Sequence, residues 1–201
     1  MATVKKTANR TGAQPKKTIE QKLILHDRKR TQKAIEWFYT MARSKLKRAK
    51  VPDEAFGAKR NSSTFIGGMF IYTYDPKYKD VLPWYDTVPC VIPVEMYSDG
   101  WLGLNLHYLP PVMRAKLMDK LIEYRKRAGT DKAYMAVSYK LLKNVVKSKY
   151  FAPCVHRYLA SHVTSRLVQV SDEYWEEVAM LPLQQFEKKT ARQVWRKTGL
   201  A

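Results

Sequence analysis

Cysteine is nearly absent: the 201 residues include only Cys90 and Cys154. Two thiols cannot build a disulfide framework, and their settings, VPCVIPV and FAPCVHRY, suit small buried hydrophobes in a reducing compartment. Long apolar runs are missing too. Nothing approaches the roughly 20 consecutive apolar residues of a membrane-spanning helix. The opening MATVKKTANRTGAQPKKT lacks the apolar segment of a secretory signal, so the expectation is a soluble chain with no membrane partner. The eight glycines form no phosphate-cradling loop: Gly67-Gly68 precedes an apolar strand, no Gly-Lys-Ser/Thr follows, and no Gly-x-Ser-x-Gly elbow occurs. Acidic residues are short as well, 18 against 37 Lys and Arg, which leaves a formal net charge of +19. A compact chain with that charge repels itself, and a polyanion relieves the repulsion.

What is present can fold. Hydrophobic residues make up 45% and aromatics 12%, enough for a sizeable core in one or two domains. The charge is uneven: residues 1–60 carry +12, residues 61–110 carry −3 and residues 111–201 carry +10, so polyanion contacts are expected in the first and last zones. Residues 1–17 set Lys5, Lys6, Arg10, Lys16 and Lys17 among Thr, Ala, Asn, Gly and Pro, and read as a flexible basic arm. Thr18 and Gln21 have capping-box spacing and open a basic helical segment over 18–50, as one helix or two. Leu25, Ile35, Phe38, Ala42 and Leu46 approximate its apolar stripe. Arg28, Lys29, Arg30, Lys33, Arg43, Lys45, Lys47, Arg48 and Lys50 crowd its other faces before Val51-Pro52 ends it.

Residues 51–201 read as an α+β core domain, with a small antiparallel sheet over about residues 63–109 covered by helices. TFIGGMFIYTYD, VPCVIPVEMY and WLGLNLHYL supply three or four short strands, the last pair joined at Ser98-Asp99-Gly100. Pro76, Pro83, Pro89 and Pro93 favour edges, bulges and long loops. Pro110-Pro111 starts a helix with Met113, Leu117, Leu121 and Tyr124 on one stripe, Arg125-Lys126-Arg127 at its end and Gly129 beyond. Thr130 or Asp131 caps the next, where Tyr134, Val137, Leu141, Leu142, Val145 and Val146 recur up to Lys149. After Pro153, CVHRYLASHV reads as helical and SRLVQV as a short strand. A helix follows Ser171-Asp172-Glu173, and beyond Pro182 comes a last one with Phe186, Val194 and Trp195.

No catalytic constellation stands out. Asp75, Asp80, Asp86, Glu95 and Asp99 could hold a divalent metal for nuclease chemistry, but no lysine follows Glu95 two residues on, and Asp75-Pro76 and Asp99-Gly100 suit turns. Cys154, His156 and His162 lack the spacing of a zinc site. His107, in LNLHYLPP, is the histidine to mutate first, with a structural role at a strand end expected. The expectation is no enzyme, no metal and no cofactor. Binding has the better support: Lys and Arg interleaved with Ser, Thr, Asn and Tyr suit phosphate contacts without sequence readout. The candidate nucleic-acid contacts are Lys5, Lys6, Arg10, Lys16, Lys17, Arg28, Lys29, Arg30, Arg43, Lys45, Lys47 and Arg48. Trp37, Phe38, Tyr39, Tyr72, Tyr74, Tyr85 and Trp101 read as core aromatics rather than stacking platforms.

The order FIYTYDPKYKDVLPWYD, VPCVIPVEMYSDGWLGLNLHYLPPVMRAKLMDKL, YFAPCVHRYLASHVTSRLVQVSDEYWEEVAMLPLQQFEKKTARQVW resembles a family of virion-associated proteins of large contractile-tailed bacteriophages, some of whose members are labelled DNA end protectors. The likeness spans about residues 65–196, and Tyr74-Asp75-Pro76-Lys77, the run Leu102–Pro110 and Gln193-Val194-Trp195 are its most specific parts. It leaves out the first 60 residues and transfers no functional residue by name. The resemblance implies a non-enzymatic structural protein of the virion, present in the host cytoplasm during assembly, oligomeric in the particle and touching the DNA phosphate backbone and other virion proteins. The alternative it leaves open is a neck, tail or baseplate adaptor whose basic segments dock on acidic neighbouring subunits.

Overall fold

The capping box at Thr18 opens the first helix of the computed structural model, α1 (Ile19–Ile24). Gln21 N–H donates to Thr18 Oγ1 at 3.2 Å and Thr18 N–H to Gln21 Oε1 at 3.0 Å. The structure describes residues 16–25, 28–46, 65–183 and 189–196. The expectations for most of the arm, for the helix end before Val51-Pro52 and for Phe186 lie outside these residues. The basic segment is two helices, with α2 (Arg28–Lys45) second. Their phases are independent, so the expected stripe holds only in part: Phe38 and Leu46 pack against the core together with Ala34, Trp37 and Met41, while Leu25, the C-cap of α1, is exposed. Tyr39, read as a core aromatic, is exposed.

The sheet is antiparallel and five-stranded, and it reaches well beyond 63–109. Its order is β4-β3-β2-β1-β5, from β1 (Phe70–Ile71), β2 (Cys90–Tyr97), β3 (Gly100–Asn105), β4 (Val155–Leu159) and β5 (Val168–Gln169). β2 and β3 form the hairpin expected at Ser98-Asp99, and Pro93 sits where the β2 register shifts before Glu95. The strand expected within SRLVQV is β5. CVHRYLASHV is not a helix: it forms β4 and then a 3-10 turn over Ala160–His162. The open edge of β3 decides this, because Tyr158 pairs with Trp101 and stacks on its ring at 6.0 Å. Gly100 makes room for that approach, since a Cβ there would stand 1.9 Å from the Tyr158 carbonyl oxygen.

Period-2 alternation splits the sheet's side chains between two cores. On one face Ile71, Cys90, Ile92 and Leu104 meet the helices α3 (Pro111–Ala128), α4 (Asp131–Lys147), α5 (Trp175–Met180) and α6 (Ala191–Trp195). α3 begins at the expected proline and stops at Gly129, whose φ of 64° is left-handed. On the other face Phe65, Phe70, Tyr72, Val91, Trp101 and Tyr158 form an aromatic layer without a covering helix among the described residues. Cys90 and Cys154 are buried free thiols, and burial pushes both up in pKa. No described helix is long and apolar enough to cross a membrane.

Candidate nucleic-acid interface

The basic arm leaves the body at a fixed point. Asp119, on α3, accepts the backbone N–H groups of Ile19 at 2.8 Å and Glu20 at 2.9 Å, so its carboxylate seats the N-terminus of α1 against α3. Lys16 and Lys17 therefore emerge, exposed, at one end of a cleft of about 800 Å³ between α1 and α3. Arg28, Lys29 and Arg30 occupy the first turn of α2, and Arg43 and Lys45 its last, all exposed. The Arg30 guanidinium donates to Lys22 O at 3.2 Å and ties the two helices together. An 18-residue helix spans about 27 Å, so the two cationic turns of α2 stand well apart. Lys5, Lys6, Arg10, Lys47 and Arg48 lie outside the described residues.

The surface divides into paired and unpaired cations. Lys22 pairs with Glu176, Lys116 with Glu20 at 3.5 Å, Lys120 with Glu123 at 2.9 Å, Arg127 with Glu123 at 2.7 Å and Arg125 with Asp172. These are solvated ion pairs of the fold. Lys16, Lys17, Arg28, Lys29, Arg43 and Lys45 make no ion pair with any described residue. The first turn of α2 also has no acidic residue, so its cations stand where the helix dipole disfavours them. A bound anion reverses that penalty.

The carboxylates offered for metal chemistry are committed elsewhere. Asp86 Oδ1 accepts Val88 N–H at 2.9 Å, and Oδ2 meets His107 Nδ1 at 2.7 Å and the Asn105 amide at 3.2 Å. Burial alone would raise this carboxyl; the His107 interaction and the three hydrogen bonds more than offset it and hold the pKa below the usual value. Phe38 packs edge-on against His107 with ring centroids 4.9 Å apart, so the pair joins α2 to the sheet. Glu95 faces Lys143 at 3.5 Å and lies opposite Leu102, three positions along β3 from Asn105. No group of three or more His, Cys, Asp or Glu among the described residues could hold a metal ion.

A second concavity lies at the free edge of β4, roofed by the loop from Tyr74 to Asp86, with a volume of about 520 Å³. Its lining draws on three separate stretches: that loop, the segment Asp99–Tyr108 and β4. Tyr74 bridges roof and edge, its hydroxyl accepting Leu159 N–H at 3.1 Å. His156 and Trp84 both donate to Pro153 O, at 3.1 and 3.2 Å. Burial pushes the His156 pKa down to about 4, so the ring is neutral and the nitrogen opposite that bond is an acceptor.

The model of the phage T4 terminal DNA protecting protein family matches residues 7–198. The chain belongs to this family. By this membership the chain is a DNA-associated structural protein of the phage virion. No curated protein and no solved structure matches it. The match takes in α1, α2 and the arm from residue 7 onward, which the resemblance to phage proteins had left out. Two things went unread in the sequence: the ion pairing that engages Lys116, Lys120, Arg125 and Arg127 of α3, and the aromatic cavity. Only the aromatic density of YTYDPKYKDVLPWY hinted at the second.

Proposed function

We propose that the chain protects a genome terminus by holding its phosphate backbone without reading sequence, through the arm, the start of α1 and the two cationic turns of α2. The residues are those of the sequence reading: Lys5, Lys6, Arg10, Lys16, Lys17, Arg28, Lys29, Arg30, Arg43, Lys45, Lys47 and Arg48. One observation carries the assignment of surface. Three exposed cations occupy the first turn of α2, which contains no acidic residue of its own, and a bound anion there complements both the cations and the helix dipole. The arm acts as a tether that adds phosphate contacts with release of counterions. The α+β body then covers the end and blocks an exonuclease by its bulk. In the particle several copies act together and touch other virion proteins; the protein passes through the host cytoplasm during assembly.

Exonuclease digestion of a blunt linear duplex at moderate salt tests this, with a nicked circle as the binding control. The intact chain is expected to slow digestion of the linear substrate, and the triple variant Arg28→Gln/Lys29→Gln/Arg30→Gln to lose most of that effect. Equal digestion with and without protein would sink the proposal.

A further inference from the structure

The geometry points to a second DNA contact: we propose that the aromatic cavity at the β4 edge takes the unpaired terminal nucleotide of a DNA strand. This rests on the reading that the chain binds a DNA end, and it adds a site that reads the end itself rather than the phosphate backbone.

The cavity's volume, about 520 Å³, lies within the range of small-ligand sites, roughly 300–1,000 Å³. Tyr74, Tyr78, Trp84, Tyr85, Tyr108 and Tyr158 are among its walls; Tyr74, Tyr108 and Tyr158 are buried, and the exposed ring of Tyr78 can accept the face of any base. Tyr78 is 59% exposed at the mouth, where the fold gains little from a large apolar ring. Cations surround the aromatics. Lys77 Nζ lies 5.3 Å from the Tyr78 ring centroid and Lys189 Nζ lies 6.0 Å from that of Trp84. These are positions from which a 5′ or bridging phosphate can be met while the base stacks.

The polar groups match a base as well. Nδ1 of the neutral His156 has no hydrogen-bond partner among the described residues and accepts from an exocyclic amino group. The two carboxylates that reach the cavity are committed: Asp86 to His107 and Asn105, and Asp99 to Arg157. A base within a duplex must flip out to enter such a site, at a cost of a few kcal/mol that is least for an unpaired base. The cavity therefore selects a strand end.

The test uses the full chain and two synthetic DNAs of equal length. One is a duplex with a single-stranded overhang ending in 2-aminopurine; the other is closed by hairpins at both ends. Stacking in the cavity is expected to quench the terminal 2-aminopurine. Tyr78→Ala should relieve the quench and weaken overhang binding by about thirtyfold, the middle of the range for one base–aromatic stack. Tyr78→Phe should retain both, and neither variant should change binding to the capped duplex. The cavity is overturned if the capped duplex binds but the terminal base is not quenched. It is equally overturned if Tyr78→Ala quenches like the parent, if 2-aminopurine inside the overhang is quenched as strongly as at its end, or if free 2-aminopurine deoxynucleotide binds as tightly as the overhang. Terminal quenching without binding to the capped duplex would instead overturn the basic-face reading and leave the cavity standing.

Discussion

At the scale of single residues, Arg114 is the side chain on which the helical layer depends most. It is fully buried, and its guanidinium donates to Leu109 O at 2.9 and 3.3 Å, Val178 O at 2.7 Å and Leu181 O at 2.9 Å. It joins the start of α3 to the end of α5, where a cation complements the last carbonyls. Burial lowers its pKa to about 10, which leaves it charged at neutral pH. Arg114→Met removes the donors to three buried carbonyls and should cost about 3–5 kcal/mol, read as the shift in urea unfolding. Lys cannot span the three acceptors, so Arg114→Lys should recover less than half of that loss. His156 makes the second residue-scale prediction. Its folded pKa, about 4, lies below the ordinary 6.5, so the unfolded chain protonates first as pH falls. The contribution is complete above pH 6.5, declines as pH drops toward 4 and is gone below it, for a total of about 3 kcal/mol at most. His156→Gln should flatten stability between pH 6.5 and 4; an unchanged acid slope would refute the assignment to this ring.

Elements show which signals were local enough to read. α3 announced itself through Pro110-Pro111, a stripe at i, i+3 and i+4 and a glycine stop, all within 20 residues of chain. Arg114 stands at that stripe's own spacing from Leu117, Met118 and Leu121, so its burial was legible to anyone who asked why a cation sat there. β4 was not legible. CVHRYL satisfies both helical and alternating patterns, and the choice fell to β3's open edge, some 50 residues upstream. The same distance hid the cavity, whose walls come from three stretches that only the sheet brings together. The charged face of α2 needed no such help, because its cations are neighbours in sequence. Neutralising Arg28 and Lys29 to Gln, with Arg30 kept on Lys22 O, removes an unfavourable dipole interaction, so this double variant should unfold at equal or higher temperature while it loses DNA affinity. Lost affinity together with a lower melting temperature would assign these cations to the fold instead.

For the whole molecule the question is where the +19 goes once the chain is folded. The −3 zone becomes most of the sheet, while α1 and α2 of the +12 zone pack on α3 and α5 of the +10 zone, so the two basic zones meet on one side of the fold. Glu20, Glu123 and Asp172 pair with Lys116, Lys120, Arg125 and Arg127 there, while Lys126 stays outside these pairs, so much of the excess falls to the arm and α2. Salt dependence measures that excess directly, since log Kobs falls against log salt with a slope of about −0.9 for each phosphate neutralised on duplex DNA. Deleting residues 1–17 removes Lys5, Lys6, Arg10, Lys16 and Lys17 and keeps Thr18 to cap α1, so the slope should become shallower by about 4 to 5. The α2 triple variant should lower it by about 3, and the two effects should add, because the arm and α2 contact different phosphates. An adaptor docked on acidic protein predicts otherwise: lost assembly with no change in DNA affinity or slope. A slope that stays constant when residues 1–17 are deleted would move the arm from DNA to protein, whatever the triple variant does.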